Sequence, residues 1–114
     1  MLIDFHTHLD WYKNKHQLYF ELEKFTGIIV SSSVDLDSYK TNLQIESTNK
    51  NLTCKIISTF GVHPENAEKY SNQLCKLDDA LNQSKIIGEI GMDFYWTNVS
   101  KIAQEEVFRY ILNH

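Results

Sequence analysis

The chain has 114 residues, which is enough for one small domain or for part of a larger one. Apolar residues make up 42% and charged residues 23%, a composition that predicts a globular core and excludes an intrinsically disordered chain. The formal net charge is −4 and no run of Lys or Arg is present, which excludes nucleic-acid binding by counterion release alone. A phosphodiester substrate would therefore need bound metal cations to balance its charge.

The cysteine content and the lengths of the apolar runs are informative about the cellular compartment of the protein. Cys54 and Cys75 are isolated and form no CxxC pair, which indicates a reducing compartment rather than a disulfide framework. No apolar run reaches the length of a membrane span, and no basic segment followed by an apolar one opens the chain. We therefore expect a cytoplasmic protein that starts at its own initiator methionine and has no membrane partner.

Short apolar or β-branched runs alternate along the chain with helical patterns of apolar residues. In chain order the predicted strands lie at Met1–Phe5, Gly27–Val30, Lys55–Phe60 and Lys85–Gly88, the last continuing through Ile90. A predicted helix follows each strand, and the apolar faces of the four helices are, in turn, Leu18, Leu22 and Phe25; Leu36, Tyr39 and Leu43; Leu74, Leu77 and Leu81; and Ala103, Val107 and Ile111. Asp35 is the predicted N-cap of the second helix, and the fourth helix begins at about Ser100. The connections are short enough for parallel βαβ units, so the fold class is α/β with about four parallel βα units.

Four βα units make up the N-terminal half of a TIM-type (βα)₈ barrel, and whole barrels usually need about 250 residues. An open arc of four strands would leave two unpaired edges and an uncovered inner face. Residues 1–114 are therefore predicted to be the N-terminal portion of an incomplete domain. We expect either self-association or a missing C-terminal half to complete the barrel.

A pair of histidines, His6 and His8, follows the first predicted strand. Residues i and i+2 of a strand point to the same side, so both imidazoles can reach one metal ion. Alone the pair is a weak signal, because two histidines two residues apart arise by chance. Asp4 shares their parity and is predicted to support them from the same face.

Three further polar residues lie where predicted strands end and loops begin: His63 follows the third strand in GVHP, Glu89 follows the apolar start of the fourth in IIGEIG, and Asp93 lies four residues further on in GMDFY. The carboxyl ends of parallel strands converge on one face of a barrel, so these residues are expected to lie near the histidine pair. Glu89 is flanked by apolar residues, where an unpaired carboxylate is costly, and a metal-ligand role is therefore favoured. His16 and His114 lie in helical stretches and are predicted to be exposed to solvent.

Aromatic residues are concentrated in the first and fourth predicted loops. They are Trp11, Tyr12, Tyr95 and Trp96. Aromatic rings stack on unpaired bases without sequence preference, so these residues are candidates for a base-stacking surface. Ordinary packing within the loops explains them equally well.

The segments MLIDFHTHLD, FGVHPEN and IIGEIGMDFY, in this order and spacing, resemble the three N-terminal motifs of the TatD family of metal-dependent deoxyribonucleases, part of the amidohydrolase superfamily. Gln104 and Phe108 look like residues of the family's helix after its fourth strand, so the resemblance covers essentially the whole chain. It implies a (βα)₈ barrel and a hydrolase that cleaves DNA phosphodiester bonds with a metal-activated water.

The resemblance also implies a role for each motif residue. His6 and His8 match the pair that binds one divalent metal, and Glu89 matches a catalytic carboxylate that bridges two metals. His63 matches a catalytic histidine near the substrate phosphate, and Asp93 matches a supporting position at the substrate. The complete protein would hold two divalent ions (Mg, Mn or Zn), which would activate water and stabilise both the attacking and the leaving oxygens.

Family members carry two further histidines and an aspartate on later strands, and the 114 residues do not include them. The chain alone is therefore expected to bind metal weakly and to hydrolyse DNA poorly. Two alternatives stay open from the sequence. The first is another amidohydrolase-type or phosphoesterase metal hydrolase, and the second is an inactive half-barrel that assembles with a partner.

Overall fold

The computed structural model describes residues 1–114 and contains a parallel three-stranded sheet with helices packed against it. The strands are β1 (Leu2–Thr7), β2 (Gly27–Ser32) and β3 (Cys54–Thr59), in the sheet order β1-β2-β3. The helices are α1 (Lys15–Lys24), α2 (Leu36–Thr48), α3 (Asp78–Gln83) and α4 (Lys101–Asn113), and 3₁₀ helices lie at Leu9–Trp11, Pro64–Lys69 and Leu74–Leu77. This arrangement confirms the predicted α/β class and corresponds to part of a TIM-type barrel.

Side-chain caps fix where α2 and α4 begin. The Asp35 carboxylate accepts a hydrogen bond from the Ser38 N–H at 2.9 Å, and the Ser38 hydroxyl accepts one from the Asp35 N–H at 3.0 Å. This reciprocal pair satisfies two donors that the helix backbone leaves free. The Ser100 hydroxyl accepts from the Ala103 N–H at 3.3 Å at the start of α4. Both predicted helix starts are therefore confirmed.

Two apolar clusters form the core. The first lies between the sheet and the first two helices and contains Leu9, Leu18, Leu22, Ile29, Ile45, Cys54 and Ile56. The second lies beyond β3 and contains Tyr39, Phe60, Val62, Ala67, Tyr70, Leu77, Ala80, Leu81, Ala103, Val107 and Ile111. All three residues predicted for the apolar face of the last helix are buried in the second cluster. These clusters hold the strands against their helices and thereby fix the positions of the strand ends.

The fourth predicted strand is wrong in extent. Only one parallel bridge forms, between Phe60 and Ile87, with hydrogen bonds from Phe60 N–H to the Ile86 carbonyl and from Gly88 N–H to the Phe60 carbonyl. The chain then leaves the extended conformation at Glu89, whose φ is +52°. A strand needs a ladder of such bonds, and this change of direction ends the ladder after a single bridge.

The third predicted helix is divided. Its apolar residues are distributed over the 3₁₀ turn Leu74–Leu77 and the short helix α3 that follows it directly. Leu77 and Leu81 are nonetheless buried in the same cluster, and Leu74 packs against it. The predicted apolar face therefore exists, although two turns of different geometry present it.

β1 lies at the edge of the sheet and is exposed along most of its length. Phe5, for example, is 74% exposed. The radius of gyration of 15.0 Å also exceeds the value of about 13 Å for a compact domain of this length. The sheet is therefore open on the side of β1.

None of the helices has both the length and the apolar character needed to cross a membrane.

Candidate metal centre

A β-bulge near the end of β1 sets the direction of the histidine pair. Asp4 pairs with Ile29 and Thr7 pairs with Ser31, so β1 advances three residues while β2 advances two. The extra residue interrupts the strict alternation of faces. Strict parity therefore does not extend from Asp4 to His8.

Asp4 supports the strand in a different way. Its carboxylate accepts a hydrogen bond from the His6 N–H at 3.1 Å. The irregular pairing removes this N–H from the regular ladder, and the carboxylate supplies a local acceptor for it. Asp4 therefore stabilises the backbone that carries the first histidine rather than the imidazole itself.

His8 is held on one face of its ring and at one nitrogen. Its Nδ1 donates a hydrogen bond to the Ser32 carbonyl at 3.0 Å, at the carboxyl end of the neighbouring strand. Trp11 stacks on the ring with centroids 3.8 Å apart and planes only 9° from parallel. With the proton on Nδ1, the Nε2 of a neutral ring is free to accept a proton or bind a cation.

Glu89 is placed by a close approach between two backbone segments. A Cβ on Gly61 would lie 1.4 Å from the Gly88 carbonyl oxygen, so only glycine permits this contact. The next residue, Glu89, has φ +52°, a left-handed conformation that is uncommon for a residue with a side chain and costs of order 1–3 kcal/mol. The local fold thus maintains an unfavourable backbone conformation at the residue that brings its carboxylate to the histidines.

The three side chains meet at one carboxylate oxygen. Glu89 Oε1 lies 2.9 Å from His6 Nε2 and 3.4 Å from His8 Nε2. The two imidazole rings are nearly perpendicular, with centroids 5.0 Å apart. All three potential ligand atoms lie within 4.8 Å of one another. The structure therefore brings together the three residues that the sequence predicted as metal ligands.

This donor set fits a divalent cation. His8 Nδ1 carries the proton that is donated to the Ser32 carbonyl, so in a neutral ring Nε2 presents a lone pair to the Glu89 carboxylate. Two facing lone pairs repel each other unless a proton or a cation lies between Nε2 and the carboxylate. Ligand atoms bound at about 2.0–2.2 Å to one ion stand about 3 Å apart, close to the distances at Glu89. Two imidazole nitrogens and one carboxylate oxygen suit Zn, Mn, Fe or Co better than Mg.

His63 lies outside this group of three. It precedes the 3₁₀ helix Pro64–Lys69, and its Nδ1 accepts a hydrogen bond from the Glu65 N–H at 3.3 Å. The backbone N–H of His63 donates to the Val34 carbonyl at 2.9 Å, and this bond connects the GVHP segment to the residues just after β2. Nδ1 is therefore occupied as an acceptor, and a neutral ring carries its proton on Nε2.

Asp93 closes a turn in the segment after Glu89. Its carboxylate accepts hydrogen bonds from the Trp96 N–H at 2.9 Å and the Tyr95 N–H at 2.8 Å. These two bonds are the main reason why the pKa of Asp93 is lowered from its ordinary value, and the positive charge of a protonated His63 lowers it further. The buried Gln104 side chain bonds to both the N–H and the carbonyl of Asp93, at 2.7 and 2.9 Å.

The aromatic residues of the two loops have different surroundings. Trp11 packs on His8, although 61% of it is exposed, whereas Tyr95 and Trp96 contact each other and are more than four-fifths exposed. His16 and His114 are exposed as predicted. Tyr95 and Trp96 therefore present aromatic surface to solvent on the segment that follows Glu89.

The sequence did not indicate the polar residues that support the loop after β1. Asn42 on α2 is fully buried and hydrogen-bonds to the loop at Asp10 and to the serines that end β2. Burial raises the pKa of the Asp10 carboxyl, although its hydrogen bonds, including that from Asn42, lower it in part. One sequence signal was available, because Asn42 lies three residues from both Tyr39 and Ile45 on the buried face of α2.

The fold and these donors define part of a parallel α/β barrel with a candidate divalent-metal centre at the carboxyl ends of its strands. Residues 3–114 match the family model described as TatD related DNase, and the chain belongs to this family. An uncharacterized metal-dependent hydrolase of Buchnera aphidicola subsp. Baizongia pistaciae (strain Bp) is 30% identical over 117 residues, which cover 95% of this chain. The match covers only 43% of that relative, so the chain spans less than half of its length. The resemblance seen in the sequence motifs is therefore confirmed.

Proposed function

We propose that this chain carries the N-terminal part of a metal-dependent hydrolase, and that the complete protein cleaves phosphodiester bonds in DNA. One observation carries the proposal: the ligand atoms of His6, His8 and Glu89 lie within 4.8 Å of one another. Family membership and the description of the relative as a metal-dependent hydrolase support the hydrolase class. The family description, TatD related DNase, supports DNA as the substrate.

In this proposal the two imidazoles and Glu89 hold the ion, and a bound divalent ion supplies a nucleophilic water at neutral pH and stabilises the charge on phosphate oxygens. Hydrolysis would join the water oxygen to phosphorus, break the phosphodiester P–O bond and pass one proton of that water to the leaving oxygen. His63 can donate a hydrogen bond from Nε2 to a phosphate oxygen, because its Nδ1 already accepts from Glu65. Asp93 shapes the segment that would border the substrate through its bonds to two backbone N–H groups.

The cofactor in the proposal is a pair of divalent ions (Mg, Mn or Zn) in the complete protein. The three donors described here suffice for one site that keeps open positions for water and substrate. A second ion would need Glu89 together with donors beyond these three. The 114-residue chain is therefore expected to bind the first ion weakly and to show little hydrolysis by itself.

Titration of the purified chain with Co²⁺, followed by its visible absorption, tests the metal centre. Replacing His6, His8 or Glu89 with alanine is expected to lower Co²⁺ affinity by at least about tenfold. His16→Ala is the matched control, because His16 is an exposed histidine on α1. Equal losses in the control and in the ligand variants, or no loss in the ligand variants, would refute the proposed centre.

Hydrolysis assays on the full-length protein test the substrate. Single-stranded DNA, RNA, a small phosphodiester and a set of small amides are compared, each with Mn²⁺, Mg²⁺ or Zn²⁺ and with chelator alone. We expect metal-dependent cleavage of DNA that is lost in Glu89→Ala. Cleavage of amides without cleavage of DNA would instead favour an amidohydrolase-type reaction on the same site.

The proposal includes a covering for the exposed face of β1, namely the remaining strands of a family-type barrel. The exposed edge at β1 and the 43% coverage of the relative support this assignment. Sedimentation of the 114-residue chain separates the alternatives, since a monomer leaves the face available for those strands, whereas a dimer indicates that a second copy covers it. A cytoplasmic location is also part of the proposal, and both cysteines being free thiols supports it.

A further inference from the structure

Asn42 is the centre of a buried polar cluster beside the candidate metal centre. The side chain is 0% exposed and accepts a hydrogen bond from the Ser31 hydroxyl at 2.7 Å. Its Nδ2 donates to the Ser33 hydroxyl at 2.9 Å and to the Ser32 carbonyl at 3.3 Å. Ser31 and Ser33 are themselves 0% exposed, so the cluster occupies interior space where polar groups cost free energy unless they are hydrogen-bonded. Its position at the strand ends therefore calls for a reason other than packing.

The cluster reaches the loop that follows β1 by three hydrogen bonds. Asn42 Oδ1 accepts from the Asp10 N–H at 3.1 Å, and its Nδ2 donates to the Asp10 carboxylate at 3.3 Å. The Ser31 hydroxyl accepts from the Leu9 N–H at 3.0 Å. Both peptides lie within two residues of His8, so this cluster sets the path of the backbone that carries the imidazole.

The cluster also reaches the imidazole through one shared acceptor. The Ser32 carbonyl accepts from Asn42 Nδ2 and from His8 Nδ1, at 3.3 and 3.0 Å. A carbonyl oxygen has two lone pairs, and a donor on one of them limits the orientation available to the other. Asn42 thus holds the group that selects which nitrogen of His8 carries the proton.

We infer that Asn42 is a positioning residue that fixes His8 in the tautomer with its proton on Nδ1, so that Nε2 is directed at Glu89 as a metal ligand. This inference rests on the proposed metal centre, in which His8 is a ligand. Residues that orient a ligand through its second nitrogen change metal affinity by about 10–100-fold when they are replaced. His6 makes no contact with the cluster, so Asn42 acts on one of the two imidazoles.

The inference is tested on the metal-free chain with ¹⁵N-labelled histidine. Long-range proton–nitrogen spectra report, for each ring, which of its two nitrogens carries a proton. We expect His8 of the wild type to show a protonated Nδ1, and Asn42→Ala to show a mixture of tautomers at His8 with His6 unchanged. An unaltered His8 spectrum in Asn42→Ala would overturn the inference.

Two further variants separate positioning from loss of stability. Asn42→Ser keeps a hydroxyl in the cluster but is one bond shorter than asparagine, and it replaces the alanine variant if that one does not fold. Asn51→Ala is the matched control, because Asn51 donates to three carbonyls (those of Leu22, Glu23 and Phe25) at the opposite end of the sheet. It is expected to lower stability without altering the His8 tautomer, and a change at His8 in this control would overturn the inference.

A Co²⁺ titration of the same variants connects the tautomer to metal binding. The Asn42 variants are expected to bind Co²⁺ about tenfold more weakly than the wild type, and Asn51→Ala to bind as the wild type does. Unchanged affinity in the Asn42 variants, despite a mixed tautomer, would overturn the positioning role. A wild type that binds no Co²⁺ but shows the tautomer change would refute the metal centre while leaving the control of His8 by Asn42 intact.

Discussion

Gly61→Ala tests how the fold brings Glu89 to the histidines. The added Cβ would lie 1.4 Å from the Gly88 carbonyl oxygen, and even a tight contact of 3.0 Å requires a displacement of about 1.6 Å. That displacement would break the hydrogen bonds from Phe60 N–H to Ile86 and from Gly88 N–H to Phe60, which measure 3.1 and 3.0 Å. Each of these two bonds contributes about 1 kcal/mol, and forced overpacking costs about 1–3 kcal/mol more, so we expect a loss of about 3–5 kcal/mol in unfolding free energy.

The same displacement acts on the candidate metal centre, because Glu89 is bonded directly to Gly88. A shift of more than 1 Å would separate the carboxylate from His6 Nε2, which now lies 2.9 Å away. Urea denaturation followed by circular dichroism measures the stability, and a Co²⁺ titration measures the affinity, which is expected to fall more than about tenfold.

Gly88→Ala is the control for this prediction. A Cβ on Gly88 would meet the Thr59 hydroxyl at 3.1 Å, and this side chain can move by a few tenths of an ångström. We expect a loss below about 1 kcal/mol and retained Co²⁺ binding. If Gly61→Ala unfolds at the same urea concentration as the wild type and binds Co²⁺ equally well, the close approach does not position Glu89.

Three further predictions concern the surroundings of the site. Burial raises the pKa of Asp35, but hydrogen bonds from Ser38 and Lys69 outweigh this effect and hold the pKa below its ordinary value of 3.8. Asp35→Ala should therefore lower the unfolding free energy by about 1–2 kcal/mol at neutral pH. Urea titrations should show that this difference from the wild type vanishes as the pH falls through the lowered pKa. Gln104→Ala removes the hydrogen bonds to the N–H and the carbonyl of Asp93 and should lower the unfolding free energy by about 2–3 kcal/mol. Exchange of the Asp93 amide hydrogen should become faster, and unchanged exchange would contradict the proposed role of Gln104 in holding this segment. Co²⁺ should quench the fluorescence of Trp11, which stacks on a ligand imidazole, and an equal response from Trp11→Phe would contradict this assignment.

Helix starts and apolar faces were predictable because they depend on residues close in sequence. Asp35 and Ser100 are short polar residues just before apolar periodic patterns, and each caps the helix that follows it. The spacing of Ala103, Val107 and Ile111 specifies the face that α4 buries. Convergence of remote strand ends was also predictable, because parallel strands place their carboxyl ends on one side of a sheet.

The details that depend on pairing between strands were not predictable. The sequence IIGEI has the composition of a strand, but a strand also needs a backbone partner, and the left-handed conformation of Glu89 ends the pairing after one bridge. Strict alternation assumes a constant register, yet the pairing of β1 with β2 shifts between Asp4 and Thr7. Nothing in the local sequence marks the bulge, since its position follows from the register with β2.

The polar support of His8 could be only partly predicted. The run Ser31 to Ser33 indicates the end of a strand, and it gives no indication that the three side chains become buried. Asn42 lies on the apolar face of its helix, which is an available signal, but its partners come from the end of β2 and from the loop after β1. Only the packing of α2 over that end of the sheet brings these groups together.

The position of β1 has a consequence for how the candidate ligands are assembled. This strand carries His6 and leads directly into His8, yet it has a neighbour on one side only and contributes no residue to either apolar cluster. Segments with few buried contacts open more readily than the rest of a domain. Detachment of β1 would thus separate His6 from Glu89 while the remaining layers stay folded. An ion bound by both residues would link β1 to the chain beyond β3 and would oppose this detachment.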